Sequence, residues 1–401
     1  MLQNRPYASL FVVLTGAVYL LFSSFLAWAE STTGKWTLMV YMNGDNDLER
    51  FVAKDIETEL GFSSDDVHVV VLADRTPGYD RSRGDWTGTL LFVTRSGITA
   101  TVADAIEDWG EVSMGDPQTL DRFIAWCKIN YPADRYALVL WDHGWTWRPY
   151  QSLWDQTSDD TLDPNEILAA METAGPVDLV AYDACEQASI EVQAQWRNHA
   201  SVFVGSQADL GWDGIEYDRV LPSLLANPSM SPEELGLLMA HSMTVDTDAE
   251  TASMAVLNED WDNLLVAVDE WARTLLYRLP LHRSDYDIAW SQTVGMSDPL
   301  NKDLGDAARK ILEVVPDPVV RARSQAVIDA LGRTIVYEWH VNNAEYQGVS
   351  GLTIYWPRNP RDLDEPSSPP NDFRYYRRNL EFSTLTHWDE FIRAYTWGKQ
   401  F

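Results

Sequence analysis

Short runs of consecutive apolar residues, each about as long as a β-strand, recur along this chain with segments of helical spacing between them. The runs are rich in β-branched and aromatic residues, and they have little of the polar alternation seen in sheets that face water. Strands that are apolar throughout are typical of a parallel sheet with helices on both faces. The sequence therefore predicts an α/β fold with a mostly parallel sheet, without internal repeats or a clean linker.

The predicted elements alternate as such a fold requires. Strands are predicted at 36–41, 67–72, 89–93, 136–141, 177–182, 202–205 and 351–356. Helices are predicted at 48–60, 102–109, 120–130, 190–198, 231–245, 260–278 and 305–333, and another opens at Asp163-Pro164, with Pro at the first helical position. We expect residues 34–260 to form the core and residues 261–401 to form a C-terminal α/β extension that packs on it. The acidic, Pro-rich stretch 357–372 is predicted to be a surface loop.

Residues 1–29 have the pattern of an export signal. Arg5 precedes an apolar run from Ala8 to Ala29, and the ending Ala27-Trp28-Ala29 predicts cleavage before Glu30. The run approaches the ~20 residues that span a bilayer, so an uncleaved N-terminal membrane anchor is the alternative. In both cases we expect an exported protein, secreted or periplasmic, which contacts the membrane only if this segment is retained.

The charge balance restricts the partners. The chain has 61 acidic and 30 basic residues, for a formal net charge of −31. A field of this sign repels nucleic acid and anionic membrane surfaces, so no nucleic-acid partner is predicted. It favours cationic ligands such as peptides rich in Arg or Lys, although an acid excess can also simply keep an exported protein soluble.

Cysteine and histidine usage excludes two other classes. A fold built on disulfides is excluded because a chain of 401 residues has only two cysteines. Cys127 lies in a stretch of helical spacing and is interpreted as a buried small residue. None of the seven histidines has metalloprotease spacing and no CxxC occurs, so no metal ligand set is predicted.

Reactive groups follow two of the predicted strands. His143 and Gly144 come after 136–141, and Cys185 comes after 177–182, just before a helix whose N–H groups should favour a thiolate. Ligands of open parallel sheets bind beyond the carboxyl ends of the strands. If the two strands are neighbours, His143 can act as base and Cys185 as nucleophile, with the N–H groups of Gly144 and Cys185 as oxyanion donors. The alternatives are a core cysteine and a turn histidine.

Six segments resemble the clostripain family of cysteine peptidases and occur in that family's order. They are WTLMVYMNGDNDLE at 36–49, WDHG at 141–144, LVAYDAC at 179–185, FVGSQ at 203–207, KDLGD at 302–306 and GLTIYWP at 351–357. The resemblance implies a caspase-like fold and a His143–Cys185 dyad without a required third member. It also implies cleavage after Arg or Lys through an acyl-enzyme, with peptide or protein substrates and no cofactor for the chemistry.

The resemblance also suggests how the substrate is bound. Asp183 matches the family position that lines the S1 pocket, where a carboxylate suits a guanidinium fork. The alternative is that Asp183 caps the helix after Cys185. Ser206, Asp209 and Asp213 are further candidates for substrate binding.

An oxygen-rich cluster follows the first predicted strand. Asp45, Asn46 and Asp47 are consecutive in the sequence. Turn formation is the favoured role for residues of these types. Because some relatives depend on Ca²⁺, the resemblance leaves a calcium role for the cluster open.

The segment after the candidate base departs from the family pattern. Relatives usually have His-Gly-Ser/Gly-Gly-Trp, whereas this chain has HGWTW at 143–147, and the two indoles are expected to narrow the loop over the site. Many relatives activate themselves by a cut between the His and the Cys. The only basic residue in that interval is Arg148, and Pro149 makes the bond a poor substrate. We therefore expect no self-cleavage there.

Two other functions stay open at this point. One is a catalytically inactive relative that binds basic peptides. The other is a cysteine hydrolase with another P1 preference, if Asp183 does not reach the pocket.

Overall fold

A nine-stranded sheet runs through the centre of the molecule. The computed structural model describes residues 33–149, 152–245, 247–363 and 372–398. The strands of the described residues, which include four outside this sheet, are β1 (Gly34–Gly44), β2 (Val67–Arg75), β3 (Gly88–Val93), β4 (Glu107–Gly110), β5 (Ala133–Trp141), β6 (Trp154–Asp155), β7 (Asp160–Thr161), β8 (Leu179–Asp183), β9 (Val202–Gly205), β10 (Thr251–Val256), β11 (Asn301–Asp303), β12 (Ile335–His340) and β13 (Thr353–Tyr355).

Helices connect most of the strands. They are α1 (Glu49–Lys54), α2 (Pro117–Asn130), α3 (Pro164–Ala174), α4 (Ile190–Trp196), α5 (Tyr217–Ala226), α6 (Pro232–Ser242), α7 (Glu259–Gln292), α8 (Leu304–Val314), α9 (Pro318–Thr334), α10 (Pro360–Leu363), α11 (Asp372–Asn379), α12 (Glu381–Leu385) and α13 (Trp388–Trp397). A π-helical turn at Asp55–Glu59 continues α1, and a 3₁₀ turn lies at Ser82–Gly84.

The sheet has a parallel centre and antiparallel pairings towards its edges. Its strand order is β12-β10-β9-β8-β5-β1-β2-β3-β4. The five strands from β9 to β2 are parallel, whereas β10 pairs antiparallel with β9, and β3 with β2. Two small sheets join β11 to β13 and β6 to β7.

Each central strand packs on both faces. Met39 and Tyr41 of β1 belong to one buried cluster, which includes residues of α2, α3, α4 and α7, and Leu38 and Val40 belong to a second, which includes residues of α1, α5 and α6. Because side chains alternate along a strand, one element feeds two cores. The predicted α/β class, with helices on both faces of a mostly parallel sheet, is confirmed.

One predicted helix is wrong. Residues 102–109 have helical spacing of apolar residues, but Val102 and Ile106 are exposed and the segment ends in the edge strand β4. The Asp104 carboxylate accepts a hydrogen bond from the Thr99 N–H, which stabilises a turn instead. Pairing of β4 with β3 then outweighs the helical pattern.

The second half of the chain contributes to the main sheet. Residues from Gly34 onward form one compact unit, and β12 extends the sheet beyond β10. The late strand lies at Thr353–Tyr355 and pairs with β11 rather than with the main sheet. A division at residue 260 therefore stays a prediction, and the predicted loop at 357–372 contains the short helix α10, with 364–371 outside the described residues.

The predicted signal segment at 1–29 also lies outside the described residues. Among the residues that are described, no helix combines the length and the apolar character needed to cross a bilayer.

Candidate active site

The candidate base and nucleophile follow two neighbouring strands. β5 and β8 are parallel and adjacent, and Trp141 pairs with Asp183 at the last position of both strands. The Asp142 N–H donates to the Asp183 carbonyl at 3.3 Å, which continues the contact beyond the strands. His143 and Cys185 each lie two residues past this pair. Both line one cleft of about 330 Å³.

An acidic side chain orients His143. Its Nε2 lies 2.8 Å from Asp47 Oδ1. Its Nδ1 has no hydrogen-bond partner among the described residues, so this nitrogen is available to a thiol in the cleft. A carboxylate in this position holds the ring in one orientation. Asp47 is thus a partner of the base that the dyad prediction did not include.

A buried network positions the loop that carries Asp47. The Asp142 carboxylate accepts hydrogen bonds from the His143 N–H at 2.6 Å, from Asn43 Nδ2 at 2.7 Å and from Asn46 Nδ2 at 2.8 Å. Burial raises the pKa of Asp142 well above its usual value, and these donors oppose that rise. Asn46 also donates to the Trp154 carbonyl at 2.9 Å. These hydrogen bonds connect the end of β1 to the backbone of His143, the candidate base.

The Cys185 side chain is partly buried. Burial raises its pKa to about 11, and the N–H groups of Leu210 and Gly211 oppose this rise. Leu210 N lies 3.4 Å from the sulfur. The prediction that N–H groups of the following helix stabilise the thiolate is wrong. Helix α4 begins only at Ile190, and its cap, Ser189, accepts from Val192 N. The thiol therefore needs a base in order to attack.

Gly144 allows the two segments to approach closely. A Cβ atom at Gly144 would lie 2.1 Å from the Cys185 carbonyl oxygen and 2.7 Å from Gln187 Nε2. Any side chain there would force the base away from the nucleophile. Within the described residues, the N–H groups of Gly144 and Cys185 have no hydrogen-bond acceptor. They are therefore available to an oxyanion in the cleft.

Asp183 lies at the base of the same cleft. Its carboxylate accepts hydrogen bonds from Ile215 N at 3.0 Å and from the Tyr217 hydroxyl at 2.6 Å. Gly214 makes this approach possible, since a Cβ atom there would lie 2.2 Å from Asp183 Oδ1. Ser189, rather than Asp183, caps α4. The capping alternative for Asp183 is therefore wrong.

Of the three other residues predicted to bind substrate, two line the cleft and one does not. Asp209 and Asp213 line the cleft, where Asp209 accepts from the Ser297 hydroxyl at 3.0 Å and Asp213 lies 4.0 Å from Lys54. Ser206 is fully buried, and its hydroxyl donates to the Thr251 carbonyl at 2.7 Å. Its side chain does not reach the cleft and instead holds the segment after β9.

The cleft has an aromatic wall and an acidic lining that single residues of the sequence do not reveal. Trp212 is 57% exposed and stacks on Phe51, with ring centroids 5.5 Å apart. No Lys or Arg lines the cleft within the described part of the chain. The acidic residues that line it are Asp55, Asp142, Asp183, Asp209, Asp213, Asp248 and Glu250. This lining favours a cationic side chain.

The two indoles after Gly144 do not narrow the cleft. Trp147 is fully buried and packs edge-on against Tyr355 and Tyr376, at centroid distances of 5.1 and 4.8 Å. Neither Trp145 nor Trp147 lines the cleft. The expectation that they restrict access is wrong, because the core on the other face of the sheet buries Trp147.

The Asp45-Asn46-Asp47 segment forms a turn, as favoured. Asn46 Oδ1 accepts from Leu48 N at 2.9 Å, and Asp45 N donates to Asn43 Oδ1 at 3.4 Å. Asp47 contacts His143 and Asn46 donates to Asp142. The side chains of the Asp45-Asn46-Asp47 segment therefore do not surround a common point.

The family model described as Clostripain family matches residues 40–397. Clostripain from Hathewaya histolytica is 28% identical over 295 residues, which cover 65% of this chain and 54% of the relative. The match thus spans about half of that relative's length.

Solved structures share the fold. A secreted C11 cysteine protease from Bacteroides thetaiotaomicron, in complex with an irreversible peptide inhibitor, has a TM-score of 0.66 at 19% identity, covering 88% of this chain and 99% of that one. An inactive zymogen C11 protease from Parabacteroides distasonis has a TM-score of 0.65 at 19% identity, with the same coverage. Since the family model covers most of the chain, this protein belongs to the clostripain family of cysteine peptidases, as its sequence motifs predict.

Proposed function

We propose that this protein is an exported endopeptidase that cleaves after Arg, and less readily after Lys, through Cys185 and His143. The observation that carries the proposal is the pairing of Trp141 with Asp183, from which His143 and Cys185 continue into one cleft with the Asp183 carboxylate at its base. Base, nucleophile and a fixed negative charge then face the same substrate residue.

The chemistry follows the acyl-transfer pattern. His143 takes the thiol proton of Cys185 through Nδ1, and the sulfur attacks the carbonyl carbon of the substrate. The N–H groups of Gly144 and Cys185 donate to the resulting oxyanion. When the C–N bond breaks, the imidazolium gives its proton to the leaving amine. Water, deprotonated by His143, then releases the acyl group as a carboxylic acid and restores the thiol.

The side chains around the dyad support this cycle without a cofactor. Asp47, 2.8 Å from Nε2, stabilises the imidazolium that forms when the buried thiol loses its proton. This stabilisation matters because burial raises the pKa of Cys185 to about 11. Burial therefore opposes loss of the thiol proton until the substrate carbonyl is in place.

The preference for a basic residue rests on the acidic cleft. Ile215 and Tyr217 hold the Asp183 carboxylate in one orientation at the base of the cleft. A guanidinium can bind a carboxylate through two parallel hydrogen bonds, whereas an ammonium acts as a point charge. We therefore place Arg ahead of Lys. Clostripain, the relative from Hathewaya histolytica, belongs to the same family.

Export rests on the N-terminal pattern. Arg5, the apolar run and Ala27-Trp28-Ala29 make up a secretory signal. The related protease from Bacteroides thetaiotaomicron is described as secreted.

A panel of fluorogenic peptides that differ only in the P1 residue tests the function. We expect kcat/KM to be highest for Arg, about tenfold lower for Lys and undetectable for Asp. Binding of basic peptides without turnover would instead support an inactive relative that acts as a binding protein. Turnover that is highest with another P1 residue would support a hydrolase of different specificity.

Self-cleavage between the base and the nucleophile is not expected. Arg148 is 9% exposed and pairs with Asp298 at 2.8 Å, under the rings of Trp145, Trp147 and Tyr355. Its guanidinium would have to leave this enclosure before it could enter the acidic cleft. We therefore predict that an active preparation contains one uncut chain.

Intact-mass measurement and denaturing electrophoresis check this prediction. A Cys185→Ala preparation provides the uncut reference. Two stable fragments produced by cleavage between residues 148 and 149, present in the active enzyme and absent from the Cys185→Ala variant, would contradict the prediction.

A further inference from the structure

A second cavity, of about 510 Å³, opens between the C-terminal helices α11 and α13. Its lining includes four arginines, Arg374, Arg377 and Arg378 of α11 and Arg393 of α13, together with Trp397. No acidic residue of the described part of the chain lines it, and it shares no lining residue with the candidate active site. Its volume is in the range of about 300–1,000 Å³ that is typical of small-molecule sites.

Helical spacing brings these side chains together. Arg377 and Arg378 lie three and four residues after Arg374, so the three side chains share one face of α11. Arg393 and Trp397 are four residues apart and share one face of α13. Both faces border the same cavity. Four guanidinium groups therefore meet in a chain that has only 30 basic residues against 61 acidic ones.

Two of the arginines have donors available to a ligand. Arg377 Nε donates to Asp389 Oδ2 at 2.8 Å, and Asp389 is only 4% exposed, so this pair fixes the orientation of the guanidinium. The Nη groups of Arg377 form no hydrogen bond with the described residues. Arg378 is exposed and forms neither a hydrogen bond nor an ion pair with them. Like charges three or four residues apart on a helix repel each other, and an anion in the cavity would remove this repulsion.

The lining suits a phosphate group better than a carboxylate. A guanidinium donates two parallel N–H bonds to either group. A phosphomonoester has a charge of about −1.5 to −2 at pH 7 and three strong acceptor oxygens, so it can accept from arginines on both helices. A carboxylate has a single charge and two oxygens in one plane. We propose that this cavity binds the phosphate group of an organic phosphate, with Arg377 and Arg378 as the principal donors.

The aromatic side of the cavity would contact the rest of the ligand. Trp397 is 46% exposed, and the largely buried Phe373 also lines the cavity. Small-molecule sites combine apolar and aromatic walls with a few polar groups that fix orientation. An exposed indole offers a flat apolar face on which a ring or an acyl chain can lie. The ligand is therefore a soluble phosphomonoester or the headgroup of a phospholipid, and both present the same group to the arginines.

Binding can be measured on the full chain without any peptidase assay. Calorimetric titration uses inorganic phosphate and phenyl phosphate, with NaCl keeping the ionic strength constant and sulfate as the comparison anion. We expect one phosphate per chain. Arg378→Gln should raise Kd for both phosphates about tenfold, because it removes a charge-assisted pair of hydrogen bonds. Arg378→Lys keeps the charge without the fork and should have a smaller effect.

A second exposed arginine provides the matched control. Arg81 has no ion pair among the described residues and does not line the cavity. Arg81→Gln therefore removes the same charge and should leave Kd unchanged. Trp397→Ala should weaken binding of phenyl phosphate about fivefold and leave that of inorganic phosphate unchanged, because only the first has a ring to stack. Circular dichroism checks that each variant is folded.

The titrations decide whether the site exists and which anion it prefers. Absence of saturable binding, or equal Kd in Arg378→Gln and Arg81→Gln, overturns the site. Sulfate that binds as tightly as phosphate overturns the assignment to phosphate. Because none of these measurements depends on cleavage of a peptide, failure of the proposed function would leave the result unchanged.

Vesicles distinguish the two sources of the phosphate group. Sedimentation with phosphatidylcholine vesicles that contain phosphatidic acid measures the lipid source, and vesicles of phosphatidylcholine alone are the blank. Vesicle binding that Arg378→Gln weakens and Arg81→Gln does not would assign a lipid headgroup. Binding of phenyl phosphate without vesicle binding would assign a soluble phosphomonoester. Vesicle binding that is equal in the two variants overturns the lipid source.

Discussion

Replacing Cys185 by Ala should reduce kcat/KM for an Arg-ended peptide by at least about 10⁴-fold, because no other group in the cleft can form the acyl-enzyme. The thiol is the only sulfur among the residues that line the cleft in the described part of the chain. Initial rates at substrate concentrations below KM measure the effect. The folded state should persist, since the partly buried sulfur has one weak hydrogen bond, from Leu210 N at 3.4 Å.

The second cysteine provides the matched control. Cys127 is fully buried in α2, in the core on one face of the sheet. Cys127→Ala removes the same atom and should cost about 1 kcal/mol of stability, while kcat/KM stays unchanged. Loss of activity in Cys127→Ala with activity retained in Cys185→Ala would reject the assignment of the nucleophile.

Replacing Asp183 by Asn should lower kcat/KM for the Arg peptide about 10²-fold, mainly through KM. The substitution keeps the shape of the side chain and removes its charge. Tyr217 and Ile215 donate to this carboxylate, and an amide oxygen can still accept one of these bonds. A citrulline-ended peptide, which has the shape of Arg without its charge, should be cleaved nearly equally by both enzymes.

Acids elsewhere in the cleft show whether the position of the charge matters. Asp213 lines the cleft but its side chain is 49% exposed, so water screens its charge. Asp213→Asn should change kcat/KM less than about threefold. Equal losses in the two variants would mean that the overall negative field, rather than a pairing at Asp183, selects the substrate.

Local pattern was sufficient for most of the individual elements. Consecutive apolar residues indicated β1, β2, β5, β8 and β9, because a strand buried on both faces has to be apolar throughout. Residues 102–109 have the apolar spacing of a helix, but this segment ends in β4 instead, because β4 pairs with β3. β10 and β12, which complete one edge of the sheet, were not predicted. Their pairing partners lie far away in the sequence.

Short segments were enough to predict the fold class, the family and the two candidate catalytic residues, since each depends on residue types that lie close together in the chain. Which polar groups lie together could not be predicted in this way and became visible in the folded chain. The fold brought Asp47 to His143, moved Trp147 into the core and buried Ser206. These contacts depend on which strands are neighbours and in what register, and strand register is a property of the whole sheet.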